Sequence, residues 1–305
     1  MDTLGAGIHD IPAERYHTDP CAEPSLSASI AAELIGKSPL HAWTLHPKLG
    51  NEPREEKDVF DLGSAAHHMV LRQDFWRESI AIVDADDWRT KAAREAKERA
   101  RADGLVPILA HHYKRLERMV AVLEAHPQGG LAFRDGKPEQ TLIWQDAATG
   151  IWMRIRPDWI PYKIGAPVPD YKTTTDARPE NWDRRFCLDH GGLLRAAFYE
   201  AGFREWWPGE KPSLYYVVQE VTPPHAVVVR VVESDSDVLR IGRAMLAKAT
   251  RLWADCLRTN TWPSYLPTIG TVAIPEWAGK RLLVEMADYL GMAVNEDDLN
   301  PLQGG

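Results

Sequence analysis

Residues 151–176 read IWMRIRPDWIPYKIGAPVPDYKTTTD, and the whole chain is organised around them. Side chains alternate along a strand. Arg154, Arg156 and Asp158 are therefore expected on one face, and Ile151, Met153 and Ile155 on the other. An apolar face behind an arginine-and-aspartate face predicts a strand with its back in the core and its front in a polar cleft. Pro161, Gly165 and Pro167 break the pattern and turn the chain. A second strand, VPDYKTT, places Asp170 and Lys172 at i and i+2, on one side. If the two strands pair, two carboxylates and an ammonium converge.

Two carboxylates a few ångströms apart repel each other unless a cation sits between them. Oxygen-only donors favour a hard ion such as Mg²⁺, with Mn²⁺ as a second choice. A lysine beside that ion can orient or deprotonate an attacking water and offset phosphate charge. This set of groups suits metal-assisted phosphodiester hydrolysis. The competing reading is an exposed strand with a surface Asp/Lys pair.

Pro157-Asp158 followed by Asp170-Tyr171-Lys172 resembles the motif of the PD-(D/E)xK nuclease superfamily. Other stretches are similar to RecE-type exonucleases (exonuclease VIII). They are S-x-S-x-x-x-x-L-x-x-x-S-P-x-H from Ser27 to His41, G-x-A-x-H ending at His67, TWPSY at 261–265 and IPEWA at 274–278. Two departures stand out. Arg195 occupies the place where the family's helix usually carries glutamine, and Ser264 replaces a glycine.

The resemblance implies an α/β fold of restriction-endonuclease type: a mixed central sheet flanked by helices, with an N-terminal helical segment over the active-site mouth. It further implies that Asp158, Asp170 and the main-chain carbonyl of Tyr171 hold the metal. His67 would bind or border a second ion, while Glu139 could add a carboxylate or be an ordinary strand-start glutamate. Lys172 would position the water, and Arg154, Arg156 and Arg195 would contact phosphates, an affinity that falls with salt. The implied substrate is DNA with linear duplex ends, resected during phage or prophage recombination, with the single strand passed to an annealing protein. Some relatives assemble as rings, so a homo-oligomer is a further expectation. Two rival classes remain open: a silent nuclease-fold module that binds DNA or protein, and a metal-dependent phosphohydrolase of small molecules.

The 305 residues are 44% hydrophobic with 12 Trp, enough for a sizeable core. One nuclease domain is expected over 1–278, mainly helical to 130 and sheet-centred over 131–278, followed by a helix and acidic tail at 279–305. The net charge of −8 counts against bulk nucleic-acid binding but leaves room for a local basic groove. Cys21, Cys187 and Cys256 are far apart and form no CxxC pair, so neither a zinc site nor a disulfide framework is expected. No apolar run reaches membrane-spanning length, and MDTLGAGIHDIPAERYH has neither the basic start nor the apolar stretch of a signal peptide. A cytoplasmic protein is expected.

Further elements follow from local chemistry. Ser27 or Ser25 should cap a helix, and Ser38-Pro39 should start another. Gly36-Lys37-Ser38 mimics the end of a phosphate-binding loop, but Ala31 stands where its first glycine belongs, so nucleotide binding there is rejected. Adjacent His67 and His68 point about 100° apart on a helix, so one face takes only one of them. Residues 86–126 should form two charged helices. EQTLIWQD should be a strand beginning at Glu139, and SLYYVVQEV with AVVVRVVES a hairpin. His190 and Tyr199 are candidates to line the groove, while parity leaves the direction of Gln219 open. The last long helix is expected to start at Ser234 or Asp235 and to turn Leu239, Ala244, Met245, Leu252, Trp253 and Cys256 inward.

Overall fold

The structure is a computed structural model that describes residues 2–52, 58–71, 79–189, 191–265 and 269–275, with a few positions between 278 and 286. Strand β1 (Gly7–His9), helix α1 (Ala13–His17) and the two-residue strand β2 (Leu26–Ser27) lead into α2 (Ala28–Gly36) and α3 (Pro39–Leu45). Ser27 accepts the Ile30 N–H and Ser38 accepts the His41 N–H, so both helices begin where side-chain oxygens satisfy otherwise orphaned donors. Then come α4 (Asp58–Leu71), β3 (Ile80–Val83), α5 (Lys91–Ala102), β4 (Val106–Leu109) and α6 (Ala110–Ala125). The second half contains β5 (Gly136–Pro138), β6 (Thr141–Gln145), β7 (Trp152–Ile155), β8 (Trp159–Pro161) and β9 (Val168–Thr174). It continues with α7 (Pro179–Arg184), a π-helical turn Arg185–Asp189, α8 (Gly192–Trp206), β10 (Leu214–Glu220), β11 (Val227–Val232) and α9 (Asp237–Thr259).

The fold is mixed α/β. One sheet runs β1-β6-β7-β2, with β7 and β2 parallel and the other neighbours antiparallel. Another runs β11-β10-β9, in which β10 is antiparallel to β11 and parallel to β9. The chain returns from β9 to β10 through α7 and α8, the helical crossover that parallel neighbours require. Short pairs β3/β4 and β5/β8 complete the strands.

The opening stretch differs from its sequence reading. It makes three strands, and β7 does not pair with β9. Alternation stops at Ile155, Pro157-Asp158 occupies the connection to β8, and β8 pairs with β5. The β3/β4 pair was not legible either: four residues are too few for a period-two signal to stand out, and charged helices flank them.

Two cores sandwich β9 and β10. Val168, Tyr216 and Val218 face the larger, which gathers Leu26, Leu142, Met153, Ile155, Phe198 and Trp253. Tyr171 and Val217 face the smaller, formed with Ala65 and Met69 of α4 and Leu116 and Met119 of α6. Helices α8 and α9 cross closely at Gly242, where a Cβ would lie 2.2 Å from the Leu193 carbonyl oxygen. The cap of α9 is Ser236 rather than Ser234 or Asp235. Its buried stripe is Leu239, Gly242, Leu246, Ala249, Trp253 and Cys256, a 3–4 spacing that leaves Ala244 exposed and Met245 and Leu252 half-buried.

Residues Met1–Ser264 form one compact unit and Tyr265–Gly305 a second. Most of the expected C-terminal helix and tail, and Trp277 of IPEWA, lie outside the described residues. Among the described residues no helix is long and apolar enough to cross a membrane.

Candidate active site

Strand β9 is the spine of the site. Asp170 and Lys172 face a cleft of about 870 Å³, while Tyr171 between them points into the smaller core. Asp158 reaches them through a hydrogen bond instead of a strand ladder: the Tyr171 N–H donates to Asp158 Oδ2 at 2.7 Å. The Lys172 ammonium pairs with Asp170 Oδ1, lies 3.9 Å from Asp158 Oδ2 and donates to the Tyr171 carbonyl at 3.3 Å. The expected convergence of two carboxylates and an ammonium is thus present, joined through the main-chain N–H and carbonyl of Tyr171.

Helix α4 delivers His67. Its Nε2 lies 3.2 Å from Asp158 Oδ2 and its Nδ1 3.1 Å from the Gly63 carbonyl. Both nitrogens face acceptors, so a protonated ring satisfies both. Burial opposes that charge, but the Asp158 carboxylate outweighs it and raises the imidazole above its ordinary value. His68 instead lines a different cavity, with Glu139 and Arg156.

The two carboxylates are unequal. Burial works to raise Asp158, but Lys172, His67 and the Tyr171 N–H together hold it well below the usual carboxylate range. Asp170 is pushed up to about 6, first by burial and then by the Asp158 charge. Its buried Oδ1 has no well-formed hydrogen bond, only the ion pair with Lys172. The ammonium already sits among Asp158 Oδ2, Asp170 Oδ1 and the Tyr171 carbonyl, so three hard oxygens surround a positive charge. Among the described residues no three His, Cys, Asp or Glu side chains form a metal cage by themselves. A cation here would therefore draw on the carbonyl as well as the two carboxylates, and the donors fit a hard divalent ion.

Residues 33–270 match the family described as "PDDEXK-like domain of unknown function (DUF3799)". The chain belongs to that family. This PDDEXK-like chain is also similar to the crystal structure of a protein from Eubacterium rectale described as a "putative exonuclease". The TM-score is 0.55 at 12% identity, covering 91% of this chain and 98% of that one, a likeness of fold. A second solved structure, of SSO0001, aligns at a TM-score of 0.27 and 15% identity over 68% of this chain and 80% of its own, too weak a likeness to support an argument. No curated protein matches the sequence.

In the PDDEXK-like cleft the arginines sort differently from their sequence reading. Arg154 was expected on phosphate, yet its side chain is 3% exposed. It donates to the Ser25 carbonyl at 2.8 Å and to Ser25 Oγ, and it pairs with Asp19 at 3.3 Å. Arg156 is nearly as enclosed, bonded to the Ile11 carbonyl at 2.7 Å and 3.5 Å from Glu139 Oε2. Glu139 lies in the turn before β6 with φ 50°. Its N–H donates to the Asp158 carbonyl at 3.0 Å while its carboxylate meets Arg156, so its main chain supports the site and its side chain points elsewhere.

Arg195 is exposed on α8 and lines the cleft beside Lys172. Arg185, which the sequence reading passed over, lines the same cleft from the π-helical turn. Among the described residues neither arginine has an ion-pair partner. The second half of α2 forms the opposite wall, with Lys37 held by Glu33 at 2.9 Å. Tyr199 lines the cleft and donates to the Arg156 carbonyl at 3.5 Å; His190 lies outside the described residues.

Asp19 was also missed. Its carboxylate accepts the Cys21 and Ser25 N–H groups and the Ser25 hydroxyl, and it faces His46 Nε2 at 3.2 Å as well as Arg154. His46 Nδ1 accepts the Lys48 N–H, which puts the ring proton on Nε2, toward Asp19 and the Ser25 carbonyl. Burial would raise the Asp19 carboxyl, but these partners hold it well below the usual range. The cluster ties the N-terminal segment to β7.

Proposed function

We propose that this chain is a divalent-metal-dependent nuclease that hydrolyses DNA phosphodiester bonds. The observation carrying this reading is the meeting of Asp158, Asp170 and the Tyr171 carbonyl around Lys172, with Asp170 and Lys172 lining a cleft that Arg185 and Arg195, unpaired among the described residues, also line. Asp158, Asp170 and the Tyr171 carbonyl are the groups that would hold Mg²⁺, with Mn²⁺ able to replace it. When bound, such an ion supplies Lewis acidity toward the phosphate and a more acidic water.

The chain's own residues do the rest. Lys172 orients the water and offsets charge that grows on the phosphate in the transition state, where contacts of this kind count most. His67 fixes Asp158 through its Nε2 and stands ready to hold a proton there. Arg195 and Arg185 take backbone phosphates of the bound strand. Their contribution is electrostatic, so binding weakens with salt despite the net charge of −8.

The finer reading is exonucleolytic action on linear duplex ends of the RecE type. It is supported by the sequence motifs at 27–41, 63–67 and 261–265 and carries an expected role in phage-type recombination beside an annealing protein. The test compares end-labelled linear duplex with closed circular DNA, each with Mg²⁺, Mn²⁺ or EDTA. Metal-dependent loss of mononucleotides from the linear substrate alone supports the full reading. Cutting of circles reduces it to an endonuclease, and intact DNA under every metal removes it.

A further inference from the structure

We infer that Gln219 is a positioning residue for the cleft and acts through Tyr171. Strand alternation turns Tyr171 away from the cleft, yet both of its peptide groups serve it: the N–H holds Asp158 and the carbonyl receives Lys172. The ladder to β10 holds one edge of β9. The other edge, which carries the Tyr171 N–H and carbonyl, faces no further strand in that sheet among the described residues, and there the side chain behind the main chain sets its remaining tilt. The Tyr171 ring is fully buried, edge-on to His67 at 5.2 Å and to Phe133 at 6.4 Å. Ring contacts alone set depth but leave direction loose.

Direction comes from the phenol, which donates to Gln219 Oε1 at 2.6 Å. Gln219 is fully buried, and its amide nitrogen donates to the Met119 carbonyl at 2.8 Å and the His225 carbonyl at 3.3 Å. Two acceptors on the nitrogen side leave the amide one orientation, with its oxygen toward Tyr171. Helix α6, the β10–β11 turn and β9 are thereby tied to one side chain. A Phe/Leu pair could occupy the same core without burying three polar side-chain atoms, and replacing both partners of the Tyr171–Gln219 bond removes that bond without orphaning either of them, although the Met119 and His225 carbonyls lose their donor. What the polar pair adds is the angle of the Tyr171 peptide, and with it the placement of Asp158 and of the carbonyl offered to a cation.

The activity part of the test rests on the nuclease reading; the metal-binding part does not. Tyr171→Phe, Gln219→Leu and the double variant are compared with wild type. The readouts are metal-free thermal unfolding, Mn²⁺ binding followed by electron paramagnetic resonance without DNA, and kcat and KM for cleavage. Groups behind a metal ligand typically contribute about 10–100-fold to affinity or activity. The expected result is Mn²⁺ binding weakened by about that factor and kcat lowered with it, KM for DNA unchanged, and a double variant that stays folded with only the modest loss of Tm that two carbonyls without their donor bring.

Wild-type Mn²⁺ binding in a stably folded double variant overturns the inference, as does a loss of Tm with Mn²⁺ binding intact. Failure of the wild type to bind Mn²⁺ also overturns it. If the wild type binds Mn²⁺ but cuts no DNA, the nuclease reading fails and the Mn²⁺ series still decides the role of Gln219. Tyr171→Phe keeps the ring and decides the question if the double variant does not fold.

Discussion

Two buried clusters in this protein are assembled from the same parts and behave differently. Around Asp19 stand one carboxylate, His46, Ser25 and Arg154, and the carboxylate's oxygens are supplied with donors from main chain and side chains. Around Lys172 stand two carboxylates and His67. One carboxylate is well supplied, whereas among the described residues Asp170 has only the ion pair with Lys172, and its pKa is raised. A satisfied cluster is a clamp, because every charge already has its partner and nothing is left to bind. We propose that the incompletely satisfied cluster, which opens on a cleft, is the one that takes a cation. The contrast lies in how completely each aspartate is bonded, since the residue types are nearly the same.

The same substitution in each cluster separates them most strongly. Asp170→Asn should reduce metal-dependent cleavage well beyond the about 10–100-fold typical of a supporting group, with metal-free Tm unchanged or raised because a like-charge contact is relieved. Asp19→Asn should do the reverse, costing about 3–5 kcal/mol of stability as a buried pair broken on one side. Urea unfolding and a cleavage time course on both variants check this; a stable Asp19→Asn protein would make the clamp assignment wrong.

The arginines come next. Arg154→Ala should destabilise the fold by about 3–5 kcal/mol, for the same reason as Asp19→Asn. Arg195→Ala should leave stability within about 0.5 kcal/mol of wild type, as an exposed residue away from packing. It should weaken DNA binding and reduce the salt slope by about 0.9. Fluorescence anisotropy with a labelled duplex in Ca²⁺ at several salt concentrations measures the second effect, and an unchanged slope would take Arg195 off the phosphates.

A smaller effect is expected from the histidines. His67→Ala should lower cleavage by about 10–100-fold, while His68→Ala, on a helix face that does not meet Asp158, should change it far less. Equal small losses would make His67 an ordinary packed histidine.

The least pronounced effect is on pH. Asp19 has a folded pKa below its unfolded value of about 3.9. Its stabilisation is therefore present above that value and is lost as pH falls toward the folded pKa. Wild type should lose stability steeply below about pH 4, and Asp19→Asn, already less stable, should show a shallower acid limb in urea titrations from pH 7 downward. Parallel acid limbs would mean that other carboxylates dominate.

The sequence disclosed the spacing of the site but not its wiring. Motif spacing singled out Asp158, Asp170 and Lys172, and the match to a family motif singled out His67 over His68; the structure brings these four side chains together. That Asp158 joins β9 through the Tyr171 N–H was not readable, because Asp158 lies after the end of β7, where alternation no longer applies. Arg154 shares its parity with Asp158, and parity cannot distinguish a cleft from a buried clamp whose other half lies at Asp19 and Ser25, far along the chain. Arg185 was hidden in a π-helical turn that has no sequence period. Gln219 took its meaning from three partners on separate elements.

The central claim is that the Asp170 cluster binds a divalent ion and cuts DNA with it. Its most direct test is the release of nucleotides from an end-labelled linear duplex by wild type and Asp170→Asn, each with and without Mg²⁺. The account predicts steady release by wild type with Mg²⁺, none in EDTA, and none by a folded Asp170→Asn protein. Cleavage by Asp170→Asn at the wild-type rate, or wild-type cleavage indifferent to metal removal, would contradict it.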